Sequence, residues 1–545
     1  MTVGPAKKKD DRKPSDSRVY LLHADRLYFN QRLHPTAQFL VGDVQFDHEG
    51  TLMYCDSALF YEATNSFDAF GSVRMLQGDT LSLTSNILYY DGLDQMARAR
   101  ENVVLRHRNS TLYSDSLDYD RLYDLGYFFE GGRLVDKENE LTSDWGEYSP
   151  TTREAVFNYN VRLVNSRPPK KAKSVLISDT LHYNTQTGIA HVLGPSNIDN
   201  GNSHIYSENG YYDSNTDESY LLNRSILQNG TKVLVGDSVC WNAKDSVGKA
   251  FGHVVYTDTL NKNKFTGNYA LYDEKHGYAE AADSAVLIDY SQRDTFYAHA
   301  DSFFLYTHHI NTDSVYRMLH AYHHVRAYRV DIQMVCDSMV YDGRDSCTTM
   351  YKDPILWQEK QQLLGEMIKA WRNDSTIDSV YVINQTLSVE RIDSVHYNQV
   401  AAKEMHTYFE GKSPYLNVAD MNVYVNYYPF DDDSLMIGMN HTETSQMKIY
   451  LKDNKVDKIW MPEASGVMYP LFLVPPEELY LENFAWFDYI RPLDKDDIFN
   501  WRPKKAGTEL KESIRHTAPK QKLSEVKANE NAVPTGQKAN VRGAE

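Results

Sequence analysis

Only four cysteines occur in 545 residues (Cys55, Cys240, Cys336 and Cys347), too few for a disulfide scaffold. None has CxxC spacing or a histidine at zinc-like intervals, so buried or free thiols are expected, with no metal and no cofactor. No window approaches the roughly 18 consecutive apolar residues of a membrane-spanning helix. The richest C-terminal stretch, Tyr469 to Ile490, is broken by Pro475, Pro476, Glu477 and Glu478. The opening residues MTVGPAKKKDDRKPSD have a basic run but no apolar core, so no export signal is visible in this numbering. Excess positive charge is also missing. With 57 Lys+Arg against 75 Asp+Glu the net charge is −18, which argues against a nucleic-acid partner. There is no Gly-rich phosphate loop, no G-x-S-x-G and no H-E-x-x-H, so no catalytic residue is assigned and the chain reads as non-enzymatic.

What is abundant is tyrosine, 40 residues within a 12% aromatic content, which favours strands over helices. The phrase Ser114-Asp115-Ser116-Leu117-Asp118-Tyr119 recurs. Its Asp position, here termed the anchor, returns as Asp25, Asp56, Ser85, Asp115, Asp144, Asp179, Glu208, Asp237, Asn268, Asp301 and Asp337, at intervals near thirty residues. An aromatic stands four residues after nearly every anchor, with Leu305 as the exception, and fainter copies begin at Glu366 and Gln446.

Within each copy the periodicity is two, so Leu117 and Tyr119 share one face while Ser116 and Asp118 share the other. Turn signals such as Tyr90-Asp91-Gly92-Leu93-Asp94 and Tyr341-Asp342-Gly343-Arg344-Asp345 follow the aromatic, and a second β-rich run follows the turn. Each copy is therefore predicted to be a hairpin, and the series an antiparallel meander. Hairpin arms of about fourteen residues exceed the usual strand and have to bend, with the anchor as the corner. The predicted fold is all-β: a long antiparallel β-jellyroll or open β-trough of ~30-residue hairpin repeats, with a small helical element near the C-terminus. Its inner face is expected to carry Phe60, Ile87, Tyr89, Leu117, Tyr119, Leu181, Tyr183, Tyr212, Val239, Trp241, Tyr272, Met339 and Tyr341.

The pattern divides into a flexible lead over 1–17, a first trough over 18–165, a second over 174–355 and a β-rich unit over 356–500 that ends in a capping helix from about Pro476. The seam between troughs is placed at Ser166-Arg167-Pro168-Pro169-Lys170-Lys171-Ala172-Lys173, where two prolines interrupt pairing. Residues 503–545, rich in Lys, Glu and Ala, are expected to be disordered. His308, His309, His320, His323 and His324 form the one local cluster that invites metal chemistry. No fixed carboxylate completes a ligand set there, and edge histidines are the plainer reading.

The Asp-Ser-x-x-Tyr units, with Gly71-Ser72-Val73, Asn102-Val103-Val104 and Gly252-His253-Val254-Val255, resemble the OstA-like family, the domain of LptA and of the LptD N-terminus. The stretch from Ala321-Tyr322-His323-His324-Val325-Arg326 to Asp353-Pro354-Ile355-Leu356-Trp357, and Lys458-Ile459-Trp460-Met461-Pro462, are similar to long OstA-like proteins of Bacteroidetes-type bacteria. The resemblance implies a periplasmic or outer-membrane-associated protein of outer-membrane biogenesis that shields lipopolysaccharide acyl chains in an apolar groove. It also implies partners among other lipopolysaccharide-transport proteins, joined by edge-to-edge β stacking. On that reading the inner-face residues named above line a lipid groove, since each buried methylene contributes about 0.8 kcal/mol. Two alternatives stand beside it: a structural or adhesive β-repeat whose core is closed, and a β-solenoid enzyme acting on polysaccharide.

Overall fold

A computed structural model describes residues 17–508, apart from 31, 33–34, 167–173, 202, 311, 374–375, 412, 432 and 453–454. The described chain is almost entirely antiparallel strand. It contains no α-helix, only 3-10 turns at Glu62–Thr64, Leu471–Leu473, Asp488–Ile490 and Asp497–Phe499. The helix expected from Pro476 is therefore absent, and the segment that should have formed it is irregular. Residues 1–16 of the expected lead and 509–545 of the expected tail lie outside the described residues. The chain divides into two compact units, Met1–Tyr322 and His323–Glu545, and the division falls within strand Tyr316–Arg329. On either side of the expected seam, strands Glu154–Asn165 and Ser174–Asn184 pair with each other, from Asn165 opposite Ser174 to Glu154 opposite Asn184. Residues 167–173 of that seam lie outside the described residues.

In the first unit, strands of 11 or 12 residues such as Thr51–Tyr61, Ser66–Gln77, Leu81–Asp91 and Met96–His107 each pair with the next. The turns are of two kinds. At one end Glu49 and Gly50 both have positive φ, the type I′ geometry that suits the strand twist. At the other end an Asx side chain accepts main-chain N–H groups. Asp91 takes that of Leu93 at 3.0 Å, Asn184 that of Gln186 at 2.9 Å and Asp213 that of Asn215 at 2.8 Å.

The corners are β-bulges. Gly42–Asp43, Gly71–Ser72, Glu101–Asn102, Tyr159–Asn160, Asn223–Arg224 and Gly252–His253 are successive positive-φ residues on alternate strands. The register breaks at each pair. Between Phe70 opposite Ile87 and Val73 opposite Ser85, two residues on one strand face the single residue Asn86 on the other. The same count leaves Asp115, Asp179 and Asp237 as the single residue elsewhere. An extra residue bends the strand and tightens its twist. The anchor is thus the inside partner of the bulge, and its carboxylate holds the bulge's polar groups: Asp237 binds the His253 ring at 2.6 Å and Arg224 at 3.1 Å, and Asp144 accepts from Asn160 at 2.6 Å.

Crossing the corner changes which parity faces inward. Strand Thr51–Tyr61 buries Thr51, Met53 and Cys55 before the bend and Ala58 after it. Both halves therefore face one interior. From Val19 to Ala270 that interior is a continuous hydrophobic cluster, with Phe46 and Phe67 stacked at 4.1 Å between ring centroids. All four thiols are free, and burial pushes that of Cys55 up to about 12.

The second unit uses the same device on longer strands, among them Ile377–Arg391, Tyr397–Glu410, Ser413–Tyr427 and Gly438–Lys452. His323–His324, Lys352–Asp353, Asn384–Gln385 and Met421–Asn422 are its positive-φ pairs among the described residues. Glu366, the faint anchor, donates its N–H to Asn384 O at 3.1 Å.

Candidate functional site

The inward positions are not equivalent along the first unit. Two residues before the bulge pair the inward side chain varies in size along the unit, from Ala69 and Ala99 through Phe157, Val192 and Leu221 to Ala250 and Ala281. Two residues after the anchor, Leu117 and Leu181 likewise alternate with Ala58, Gly146 and Gly210, and Ala250, Ala270 and Ala281 come together on neighbouring strands. Smaller side chains in a rigid frame leave space. A cavity of about 620 Å³ opens here, between strands Lys232–Asn242, Val247–Asp258, Asn263–Asp273, Tyr278–Asp289, Phe296–His308 and the start of Tyr316–Arg329. That volume lies within the range of small-molecule sites, roughly 300–1,000 Å³.

Its wall is mainly apolar, with Leu234, Val254, Phe265, Phe303, Leu305 and Leu319 contributing side chains. Tyr256 and Tyr272 add rings that pack against the hydrophobic cluster. Lys232 donates to the Tyr272 hydroxyl at 2.7 Å, with its ammonium 5.0 Å from the ring centroid. Burial, then the nearby Asp258 carboxylate, push the Tyr256 phenol upward, and burial followed by its hydrogen bond to Glu280 does the same for Tyr278. Both hydroxyls therefore stay protonated and neutral at physiological pH. The apolar part of the wall suits an apolar guest, and Asp258, Glu274, Lys275, Glu280 and Arg317 add charged groups to the lining.

Of the residues expected to line a groove, Tyr272 borders this cavity. Leu117, Tyr119, Leu181, Tyr183, Tyr212, Val239 and Trp241 do point inward, but as parts of the filled cluster. Phe60 is partly buried against the same cluster, while Met339 is buried and Tyr341 half-buried in the second unit. Ile87 and Tyr89 are corrected. Tyr89 is 39% exposed whereas Leu88 and Tyr90 are buried. The bulge faces Asn86, so the anchor read at Ser85 is one residue early, and a slip of one reverses the face. The expectation missed Phe265 and Leu319, which carry no anchor signature, and Leu305, which stands four residues after the anchor Asp301 but breaks the aromatic pattern. The signal that pointed to them was the cluster of small residues Gly248, Ala250, Gly267, Ala270, Gly277, Ala279 and Ala281.

The histidines scatter over separate contacts. His308 stacks on Tyr316, His320 meets the Tyr322 hydroxyl at 2.9 Å, His323 pairs with Asp337 and His324 packs edge-on against Trp501. Among the described residues no group of three His, Cys, Asp or Glu side chains is placed to hold a metal ion.

Residues 16–168 match the family model described as OstA-like protein, so the chain is OstA-like over that stretch. No curated protein matches. Among solved structures, the chain is similar to LptH, the LptA homologous periplasmic component of the conserved lipopolysaccharide transport device from Pseudomonas aeruginosa. The identity is 15% and the TM-score 0.19, over 22% of this chain and 81% of that one.

Proposed function

We propose that the protein is a non-enzymatic lipid carrier or bridge of outer-membrane biogenesis, working in the periplasm, and that the cavity bordered by Phe265, Leu305 and Leu319 takes an acyl chain of lipopolysaccharide or a related lipid. The observation that carries this reading is the contrast within one interior, filled from Val19 onward and opening at an apolar cavity of about 620 Å³. Ten methylenes moved from water into such a wall contribute about 8 kcal/mol, enough to hold a hydrocarbon without a charged contact. The OstA-like match over residues 16–168 supports the same class of function. The shielding is local on this reading: Leu117, Leu181 and Val239 form the frame, and the guest sits further along.

Stacking on other lipopolysaccharide-transport proteins is proposed at the first edge. Strands Tyr20–His23 and Arg26–Phe29 pair on one side with Gln38–His48 and leave Tyr20, Leu22, Leu27 and Phe29 exposed. An exposed apolar edge strand is a template for another strand.

The filled stretch favours the second reading, a structural repeat with a closed core, for the part before Ala270. One experiment separates the two. A photo-crosslinking residue is placed at Phe265 or Leu305, and a control at Leu181, in cells that make lipopolysaccharide. Lipid captured at Phe265 and Leu305 but not at Leu181 is the expected result. A cavity that labels with no lipid would leave the closed-core reading standing.

A further inference from the structure

The second unit contains buried amides that an apolar core does not need. Gln333, Gln362, Gln399 and Asn426 lie inward on strands Ile332–Asp342, Gln361–Leu364, Tyr397–Glu410 and Ser413–Tyr427, each almost fully buried. All four reach into the irregular segment 478–491. Gln399 donates to Leu479 O at 2.8 Å and accepts from Leu481 N at 2.9 Å. Gln362 donates to Ala485 O at 2.9 Å and accepts from Phe487 N at 2.7 Å. The two amides thus bracket Tyr480 and Trp486 in the same way, taking the carbonyl before and the N–H after. A single residue of a parallel strand neighbour makes that same pair of bonds. Asn426 donates to Glu478 O at 2.8 Å, Arg326 to Ile490 O at 2.8 Å, and Gln333 accepts from Arg491 at 2.8 Å. The Trp357 indole, 3.2 Å from the Gln362 oxygen, fixes which way that amide points.

Between these polar grips the segment inserts Leu481, Phe487 and Ile490 among Ile355, Leu364, Leu387 and Val389. The Tyr397 ring meets Tyr480, Phe484 and Trp486. Recognition is therefore divided as in peptide grooves, with polar groups for the main chain and apolar pockets for side chains. A hydrocarbon in the same place would leave the amides without partners, a penalty that a polypeptide backbone removes.

We propose that the interior of the second unit is a polypeptide-binding groove that excludes hydrocarbon, and that residues 478–491 of this chain are its ligand in cis. The groove is distinct from the lipid cavity of the first unit and does not depend on that assignment.

The test uses the full chain and a fluorescein-labelled synthetic peptide of residues 476–502. Wild-type protein, its groove occupied, should leave the peptide's anisotropy unchanged. A Phe487→Ser, Ile490→Ser variant weakens the resident segment and should bind the peptide saturably. Adding Gln362→Leu to that variant should weaken the binding at least about tenfold, since two main-chain bonds are lost. A variant that keeps the wild-type far-UV circular dichroism yet ignores the peptide overturns the proposal, and so does one that takes a photoreactive fatty-acid probe at Leu387 instead. If the double variant fails to fold, Gln362→Leu alone decides. The Phe487 amide should then exchange with solvent at least about tenfold faster, and unchanged exchange overturns the proposal.

Discussion

At the scale of the residue, the corners depend on a conformation that most side chains resist. Gly71 has φ +75°, and a Cβ built there would stand 2.4 Å from an Asp56 carboxylate oxygen and 3.0 Å from its Cβ. Gly71→Ala therefore meets both the left-handed penalty of about 1–2 kcal/mol and a collision with the anchor. Its urea unfolding midpoint should fall, whereas Asn102→Gly, at φ +52°, should be near neutral. A second residue-scale device is His48, fully buried, with its Nδ1 2.6 Å from the Tyr90 hydroxyl and 3.2 Å from Arg121. Burial first, then the Arg121 charge, hold its pKa below the ordinary 6.5. Because the folded value lies below the unfolded one, His48's contribution is complete above about pH 6.5 and is lost as the pH falls toward the folded value. Thermal melts should show the Tm dropping between pH 7.5 and 5.5, and His48→Gln should flatten that slope. The same scale limits what can be read from sequence: Ser85 and Asn86 both suit an anchor, and only the bulge geometry decides between them.

At the scale of the element, the hairpin was legible because three independent signals agree: the two-residue alternation, the aromatic after the anchor, and the Asx residue at the turn. Asp213 shows how the last signal acts, since its carboxylate takes the Asn215 N–H at 2.8 Å and so closes the turn between strands Ser203–Asp213 and Glu218–Asn229. Asp213→Ala should cost about 1 kcal/mol and raise hydrogen exchange in that turn while leaving distant hairpins unchanged. The C-terminal segment was misread for a related reason. Pro476-Glu477-Glu478 is a sound local start for a helix, but the backbone groups of Glu478, Leu481 and Phe487 bond instead to Asn426, Gln399 and Gln362, far away in sequence. Local preference gave way to tertiary partners. One corner shows where the repeat signal fades: strand Tyr397–Glu410 breaks register between Ala401 and Glu404, where Lys403 replaces the acidic anchor.

At the scale of the whole molecule, the repeat describes the frame and its defects describe the function. Thirty-residue periodicity was enough to read an all-β meander with a shared interior, because each hairpin must bury its face against the next. It could not locate the cavity, or its difference from the filled stretch, because alanine stands at the equivalent inward positions of that stretch as well, as at Ala69 and Ala99. That difference yields a test in which two charged substitutions, equivalent by repeat logic, part company. Leu117 is fully buried in the filled cluster, so Leu117→Asp places a carboxylate among Leu105, Phe128 and their neighbours without a partner. Burial of an unpaired charge unfolds a marginally stable domain, so this variant should lose its cooperative melt, and any loss of lipid binding would follow from that. Leu305 is only partly buried and borders open space, so a Leu305→Arg side chain can extend its charged end toward water. That variant should melt within a few degrees of wild type yet bind a fluorescent acyl probe at least about tenfold more weakly, because the guest then faces a cation. Equal probe binding by Leu305→Arg and wild type would remove the acyl chain from the cavity and with it the carrier function proposed for the chain.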